Sequence, residues 1–178
     1  MYTWQASHSI HLKLKPMKNF LILFICSISG ISAMAQLKAT AVCPPFTVDI
    51  MAGTVNDLYA KSAISEIQER LPCFSETVEK DMDSKCAGVF YKDRDILFYT
   101  DRRYIEIGEK FKGKLSPALM GVNRNSLFKL LGHPKIKDAG WEAFQMGYGT
   151  LILYYNTAGK INKIQISSKT TDAIKLCE

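Results

Sequence analysis

The chain has few of the residues from which most catalytic and metal sites are built. Downstream of residue 35 it holds a single histidine, His133. That count excludes metal sites built on paired or tripled histidines, and Glu-x-x-His motifs are absent there as well. No Cys-x2-Cys pair occurs, so zinc-ribbon spacing is absent. No Gly-x-Ser-x-Gly elbow is present to strain a serine nucleophile into reach. No Gly-x-Gly-x-x-Gly or Walker sequence offers backbone amides to a phosphate. Long blocks of one charge are missing too. Arg102, Arg103, Lys110, Lys112, Lys114, Lys135 and Lys137 are interleaved with acids, which reads as a mixed, solvated surface. No apolar run approaches the roughly 20 residues needed to span a bilayer.

The longest apolar run, Phe20–Ile31, lies within MKNFLILFICSISGISAMAQ, Met17–Gln36. A basic start at Lys18, a short apolar stretch and Ala33-Met34-Ala35 make a secretory signal peptide. The expected initiator is Met17, with residues 1–16 an upstream extension, and the expected cleavage follows Ala35. Ile25 fills the position where a lipoprotein signal needs a small residue, so Cys26 is not read as an acylation site. The removed segment carries Lys13, Lys15 and Lys18 and no acid, which lowers the net charge from +6 to +3. A nucleic-acid partner is therefore not expected, and neither is a membrane span in the mature chain.

Four cysteines remain: Cys43, Cys73, Cys86 and Cys177. An even count in an exported chain predicts two disulfides with three possible connectivities. The preferred pairing is Cys73–Cys86, closing a polar loop, with Cys43–Cys177 tying the arm to the extreme C-terminus.

Residues 36–178 form one expected domain. After an arm, Phe46–Met51 reads as extended. Ser62 is placed to cap a helix with Ile64, Ile67 and Leu71 on one face, ended by Pro72. A polar linker, Ser75–Lys85, follows. Gly88–Lys92, Asp95–Thr100 and Tyr104–Glu109 read as strands, and Gly113–Pro117 as a linker. The pattern then recurs. Asn123 or Asn125 caps a helix with Leu127, Leu130 and Leu131, stopped by Gly132-His133-Pro134. Trp141–Met146, Thr150–Tyr155 and Ile161–Ser167 are strands, with a hairpin turn at Asn156–Gly159. ILFYTDRRYIEI at Ile96–Ile107 aligns without a gap on ILYYNTAGKINK at Ile152–Lys163. The expected fold is α+β: two tandem helix-plus-antiparallel-meander repeats, about 54–113 and 121–168, sharing one sheet with the helices on one face.

Gly121, the capped helix, Leu131-Gly132-His133-Pro134, Trp141 and the following hairpin resemble the small outer-membrane assembly lipoprotein domain. The tandem form resembles the β-lactamase-inhibitor-protein-like fold, in which two such units share a sheet. This likeness implies a fold and a binding role. The acylated cysteine of the first family is lacking, and no target-recognition loop of the second can be matched residue by residue.

His133, between a glycine and a proline, reads as a turn residue. Asp93, Asp95, Glu106 and Glu109 lie on or beside strands and are the candidates for a carboxylate-pair hydrolase. Asp81-Met82-Asp83 lacks the glycine and terminal glutamate of a calcium loop. No metal or cofactor is expected. Aromatics concentrate on the strands. In DILFYT, Ile96 and Phe98 oppose Leu97 and Tyr99; in TLILYY, Leu151, Leu153 and Tyr155 oppose Ile152 and Tyr154. Both faces therefore carry large apolar groups. One must pack on the helices; the other is either a recognition surface or covered by the arm and tail. The leading expectation is a periplasmic or secreted, non-enzymatic module that binds another exported or envelope protein, in an inhibitor, immunity or assembly role. Tyr91, Tyr99, Tyr104, Trp141, Tyr148 and Tyr155 would supply an aromatic face, with Arg102 and Arg103 beside it. The alternatives are a small envelope hydrolase and a structural envelope protein without a discrete site.

Overall fold

A computed structural model describes residues 42–80 and 86–177. The expected signal peptide, Cys26 and the Asp81-Met82-Asp83 fragment lie outside the described residues. Strands form where β-branched and aromatic residues alternate or run together: β1 (Thr47–Asp49), β2 (Thr54–Val55), β3 (Leu58–Tyr59), β4 (Glu76–Val78), β5 (Gly88–Tyr91), β6 (Ile96–Tyr99), β7 (Tyr104–Ile107), β8 (Lys114–Ser116), β9 (Ile136–Lys137), β10 (Trp141–Met146), β11 (Gly149–Tyr155) and β12 (Ile161–Ser167). Two α-helices, α1 (Ile64–Arg70) and α2 (Phe128–Leu131), complete a mixed α+β architecture among these residues. Neither is long and apolar enough to cross a membrane.

The strands make two sheets. The larger is antiparallel throughout, in the order β4-β5-β6-β7-β12-β11-β10-β9. The hairpin β6–β7 thus lies beside the hairpin β12–β11, joined where β7 meets β12. The smaller has the order β3-β2-β1-β8, with β1 and β8 parallel. Asn56 and Asp57 both have positive φ, the two-residue turn that matches the twist of a tight hairpin between β2 and β3. Asn56 also fixes the arm. Its side-chain oxygen accepts from Thr47 N–H and its amide donates to the Pro45 carbonyl, each at 2.9 Å.

Register decides which side chains share a face. On one face Val89, Phe98, Ile105, Ile166, Leu151 and Phe144 form a row across six strands. Tyr91, Ile96, Ile107, Ile164, Leu153 and Glu142 form the next. Apart from Glu142, these residues are buried in one cluster with Phe46, Val48, Ile50, Val55 and Leu58 of the small sheet and its approach, and with Ile67, Leu71 and Leu127. This is the core face.

Several expectations need correction. Ser62 does not cap α1: Ala63 occupies that position, and the Ser62 hydroxyl accepts from Tyr59 N–H instead, at 3.3 Å. α2 is a single turn. Asn123 caps a preceding 3-10 turn through the Asn125 N–H, and Leu130 faces solvent while Leu127 is buried. Four residues cannot present a three-leucine face. Both presumed linkers contain strands: β4 extends the large sheet, and β8 closes the small one against β1. The gap-free alignment also fails on facing. Ile96 and Phe98 point into the core, whereas their partners Ile152 and Tyr154 lie on the opposite face. A period-2 element tolerates no odd shift without inverting every side chain.

All four cysteines are paired, but as Cys43–Cys73 and Cys86–Cys177, with Cα–Cα distances of 5.3 and 6.0 Å that suit a disulfide. Packing explains the difference from the preferred pairing. Phe46 lies edge-on to Tyr91, and the Tyr91 hydroxyl donates to the Leu71 carbonyl at 2.6 Å, so the arm meets the end of α1 at Cys73. The C-terminal tail instead runs to Tyr104, whose hydroxyl accepts from Cys177 N–H at 3.1 Å, near Cys86.

Candidate functional site

The second face of the large sheet is built by the same alternation. Phe90, Leu97, Glu106, Gln165, Ile152, Ala143 and Ile136 make one row from β5 to β9. Tyr99, Tyr104, Ser167, Thr150 and Gln145 make another. Neither helix contributes a residue to these rows. The covering element is the C-terminal tail, 168–177, which is irregular. It is fixed by side chains of the face itself. The Thr150 hydroxyl donates to the Lys169 carbonyl at 2.8 Å, and Thr171 N–H donates to Gln145 Oε1 at 3.3 Å. At its far end the disulfide to Cys86 and the Tyr104 hydroxyl hold it.

Sheet and tail enclose a cleft of about 180 Å3. Ile136, Trp141, Ala143, Ile152 and Tyr154 line it from the sheet, and Thr171, Ile174 and Leu176 from the tail. Beside it runs a polar chain. The Tyr154 hydroxyl donates to Gln165 Oε1 at 2.9 Å, and Gln165 Nε2 donates to Glu106 Oε2 at 2.7 Å. Lys163 Nζ lies 3.6 Å from the same Glu106 oxygen and 4.2 Å from the centre of the Tyr154 ring. Burial, reinforced by the Glu106 charge, pushes the Tyr154 hydroxyl up to about 12 and raises that of Tyr99 in the same direction. Both phenols therefore stay protonated donors at neutral pH. The combination offers apolar walls that include the hydrogen-bonded Tyr154, with a fixed polar network alongside, features that ligand-binding clefts share.

The eight expected binding residues do not form one surface. Tyr99, Tyr104 and Trp141 are on this outer face. Tyr99 is stacked 4.5 Å from Tyr104 and lies 5.2 Å from Phe90. Tyr104 is buried beneath the tail, so it supports the face without being presented. Tyr91 is fully buried in the core and cannot contact a partner; its position in β5 has the same parity as Val89. Tyr155 points to the core side, where its hydroxyl donates to Glu142 Oε2 at 2.7 Å and its ring lies 4.8 Å from the Arg124 guanidinium. Tyr148 sits in the β10–β11 turn and packs against Gly53 of the small sheet's first turn, with its hydroxyl raised by burial and by Asp49. Arg102 is half-buried beside Asp101, at 3.3 Å. Arg103 is exposed, with φ of +59°, and its carbonyl accepts from the Ser167 hydroxyl and Ser168 N–H. Those two bonds fix the turn conformation that the side chain alone would disfavour.

Sequence reasoning missed Ile136, Ile152, Tyr154, Gln165 and the tail residues. Tyr154 carried a usable signal. In Tyr154-Tyr155 only one ring can share a face with Tyr99, and the pairing register selects Tyr154. Among the candidate carboxylates, Asp95 accepts from Lys110 N–H at 2.7 Å, and Asp93 accepts from the Ser75 hydroxyl at 3.2 Å. Glu109 is exposed, and Glu106 is engaged as above. His133 is an exposed turn residue against Phe128, at 4.6 Å between rings.

A separate buried carboxylate, Glu142, closes the core face. Arg124 Nε donates to it at 2.9 Å, while the other guanidinium nitrogens donate to the Ala139 and Asp138 carbonyls at 3.0 and 2.6 Å. Arg124 thereby fastens the loop before α2 to the β9–β10 hairpin. No family model, no curated protein and no solved structure matches the chain.

Proposed function

We propose that this is an exported, disulfide-tied, non-enzymatic protein-binding domain that recognises its partner through the cleft between the outer sheet face and the C-terminal tail. The observation that carries this reading is the apolar cleft itself, walled by Trp141, Ile152 and Tyr154 and closed by Ile174 and Leu176. Aromatic walls give large contact area with few rotatable bonds. At about 180 Å3 the cleft is smaller than the roughly 300–1,000 Å3 of a drug-sized ligand site. It exceeds the ~150 Å3 of an apolar cavity that takes benzene. It fits one large apolar side chain of a partner. An inhibitor, immunity or envelope-assembly role accords with such a site.

The domain is read as two helix-plus-meander units, each contributing three strands. The strand order supports this: β5-β6-β7 is followed by β12-β11-β10, the reverse order expected when two meanders join at their last strands. The buried residues Ile67, Leu71 and Leu127 share one cluster, which suits helices stacked on one face. The repeat then needs an odd shift between β6 and β11, with Leu153 rather than Ile152 in the place of Ile96. The likeness to the β-lactamase-inhibitor-protein-like fold stands on this arrangement.

The test is retention of a partner from an exported-protein fraction. Trp141→Ala should lose the partner with little change in thermal midpoint, whereas Met51→Ala, exposed beside the small sheet, should keep it. Retention by Trp141→Ala with loss by Met51→Ala would place recognition elsewhere.

A further inference from the structure

The large sheet ends at β9, and no strand lies beyond it among the described residues. Both of its residues, Ile136 and Lys137, are exposed. Asp138 N–H donates to the Trp141 carbonyl at 2.9 Å. That bond makes Lys137–Glu142 a non-hydrogen-bonded pair, so the Lys137 N–H and carbonyl point away from β10, toward the open edge. An open edge flanked by lysine is, in many proteins, simply a blunted one. Here it has hollows on both sides. The apolar cleft reaches it at Ile136 on the outer face, and a second depression of about 230 Å3, lined by Arg124, Phe128, His133 and Lys137, reaches it on the other.

We infer that β9 accepts an extended segment of a partner protein as an additional strand, with an apolar residue directed to the outer-face cleft and an acidic residue directed to the opposite hollow. Alternation along a strand sends successive side chains to opposite faces, which is the spacing these two hollows require. Charge selects the acidic residue. Arg124, Lys135 and Lys137 stand at or beside the edge against Asp138 and Glu142. Lys137 Nζ lies 3.9 Å from Glu142 Oε1, an oxygen that already accepts from Arg124 Nε, while Tyr155 donates to the other, so this one carboxylate is shared and the edge keeps a net positive charge. The inference rests on the reading of the domain as a protein-binding module, but it assigns the main-chain contact to an edge that the Trp141 test does not address.

The probe is a blocked heptapeptide, Thr-Phe-Glu-Phe-Glu-Phe-Thr, titrated against the full disulfide-bonded domain and followed by backbone amide resonances. The amides of Ile136, Lys137 and Asp138 and the Trp141 indole should shift together. N-methylation of both glutamates keeps the side chains and removes main-chain donors. It should weaken binding by about tenfold or more, the loss expected for one or two hydrogen bonds. Lys137→Pro should do the same, since an outward N–H is the one an edge strand gives up without losing its ladder. Lys137→Ala should retain pairing with a smaller loss. Equal binding of the methylated peptide, shifts confined to another surface, or no binding at all would overturn the inference. So would self-association of the free domain abolished by Lys137→Pro, because the occupant would then be a second copy. If the peptide fails while a Trp141-dependent partner is still retained, the edge assignment falls and the cleft survives. If Trp141→Ala leaves partner retention unchanged while the peptide still binds β9, the cleft reading falls instead.

Discussion

The two ends of the described chain are each tied by a disulfide, yet they are held by different physics. The N-terminal arm enters the core. Phe46, Val48 and Ile50 are almost wholly buried, β1 pairs on both sides, and Asn56 fixes the approach. The C-terminal tail has no regular structure, and from Lys169 to Cys177 only Thr171 is buried. A few hydrogen bonds to Thr150, Gln145 and Tyr104 hold it, with Cys86 as the anchor. Burial, at roughly 25 cal/mol per Å2 of apolar surface, adds to this pairing and to the Asn56 bonds in holding the arm. The tail depends on its covalent tie. The same cysteine chemistry is thus redundant at one end and decisive at the other.

The largest expected effect breaks the arm side. Phe46→Ala should destabilise the domain by about 3–5 kcal/mol in denaturant unfolding, because a fully buried ring leaves a cavity between the two sheets. Tyr91→Phe, which keeps the ring and removes the donor to Leu71, should cost only about 1 kcal/mol. The next effect concerns the tail. Cys86→Ser with Cys177→Ser should lower stability by about 2–5 kcal/mol and make the amides of Thr171 and of position 177 exchange quickly while β5–β7 and β10–β12 stay protected. The matching change of Cys43 and Cys73 should leave the amides of β1 protected. If both double variants expose their ends equally, the comparison fails. Alkaline titration should show a smaller effect. The Tyr154 hydroxyl titrates at about 12 in the folded state, above its ordinary value of 10. Its contribution is fully present below pH 10 and is lost as pH rises toward 12, because the unfolded chain releases the proton first. Glu106→Gln should reduce this upward shift, read in the ultraviolet absorbance of Tyr154 against a Tyr154→Phe reference. The smallest effect is expected from Met51→Ala, within about 0.5 kcal/mol.

Much of the large sheet was legible in the sequence. β10 and β12 fall where alternation and turn residues place them, and Gly132 and Gly159 have the positive φ expected of a helix stop and a hairpin turn. The two-residue strands were not legible, because β2, β3 and β9 are too short to show a period. β8 hid in a stretch whose glycine and proline mark it as linker, and only its parallel partner β1 makes it a strand. The site was half legible. Alternation divided Tyr154 from Tyr155, but which one meets Tyr99 depends on pairing across three strand junctions. Buried tyrosines such as Tyr91 look identical to presented ones in sequence, because hydroxyl satisfaction is decided by a remote partner, here the Leu71 carbonyl. The disulfide pattern was likewise set by where the ends pack, which local loop length does not report.

The central claim is that the strapped outer face is the recognition surface and the Tyr91 face is core. It is tested most directly by photo-crosslinking in the exported fraction, with a benzophenone amino acid placed at Trp141 or at Met51 in the oxidised, folded domain. The account predicts one discrete adduct from position 141, suppressed by excess unlabelled domain, and none from position 51. A competed adduct from position 51 with none from 141 would contradict it.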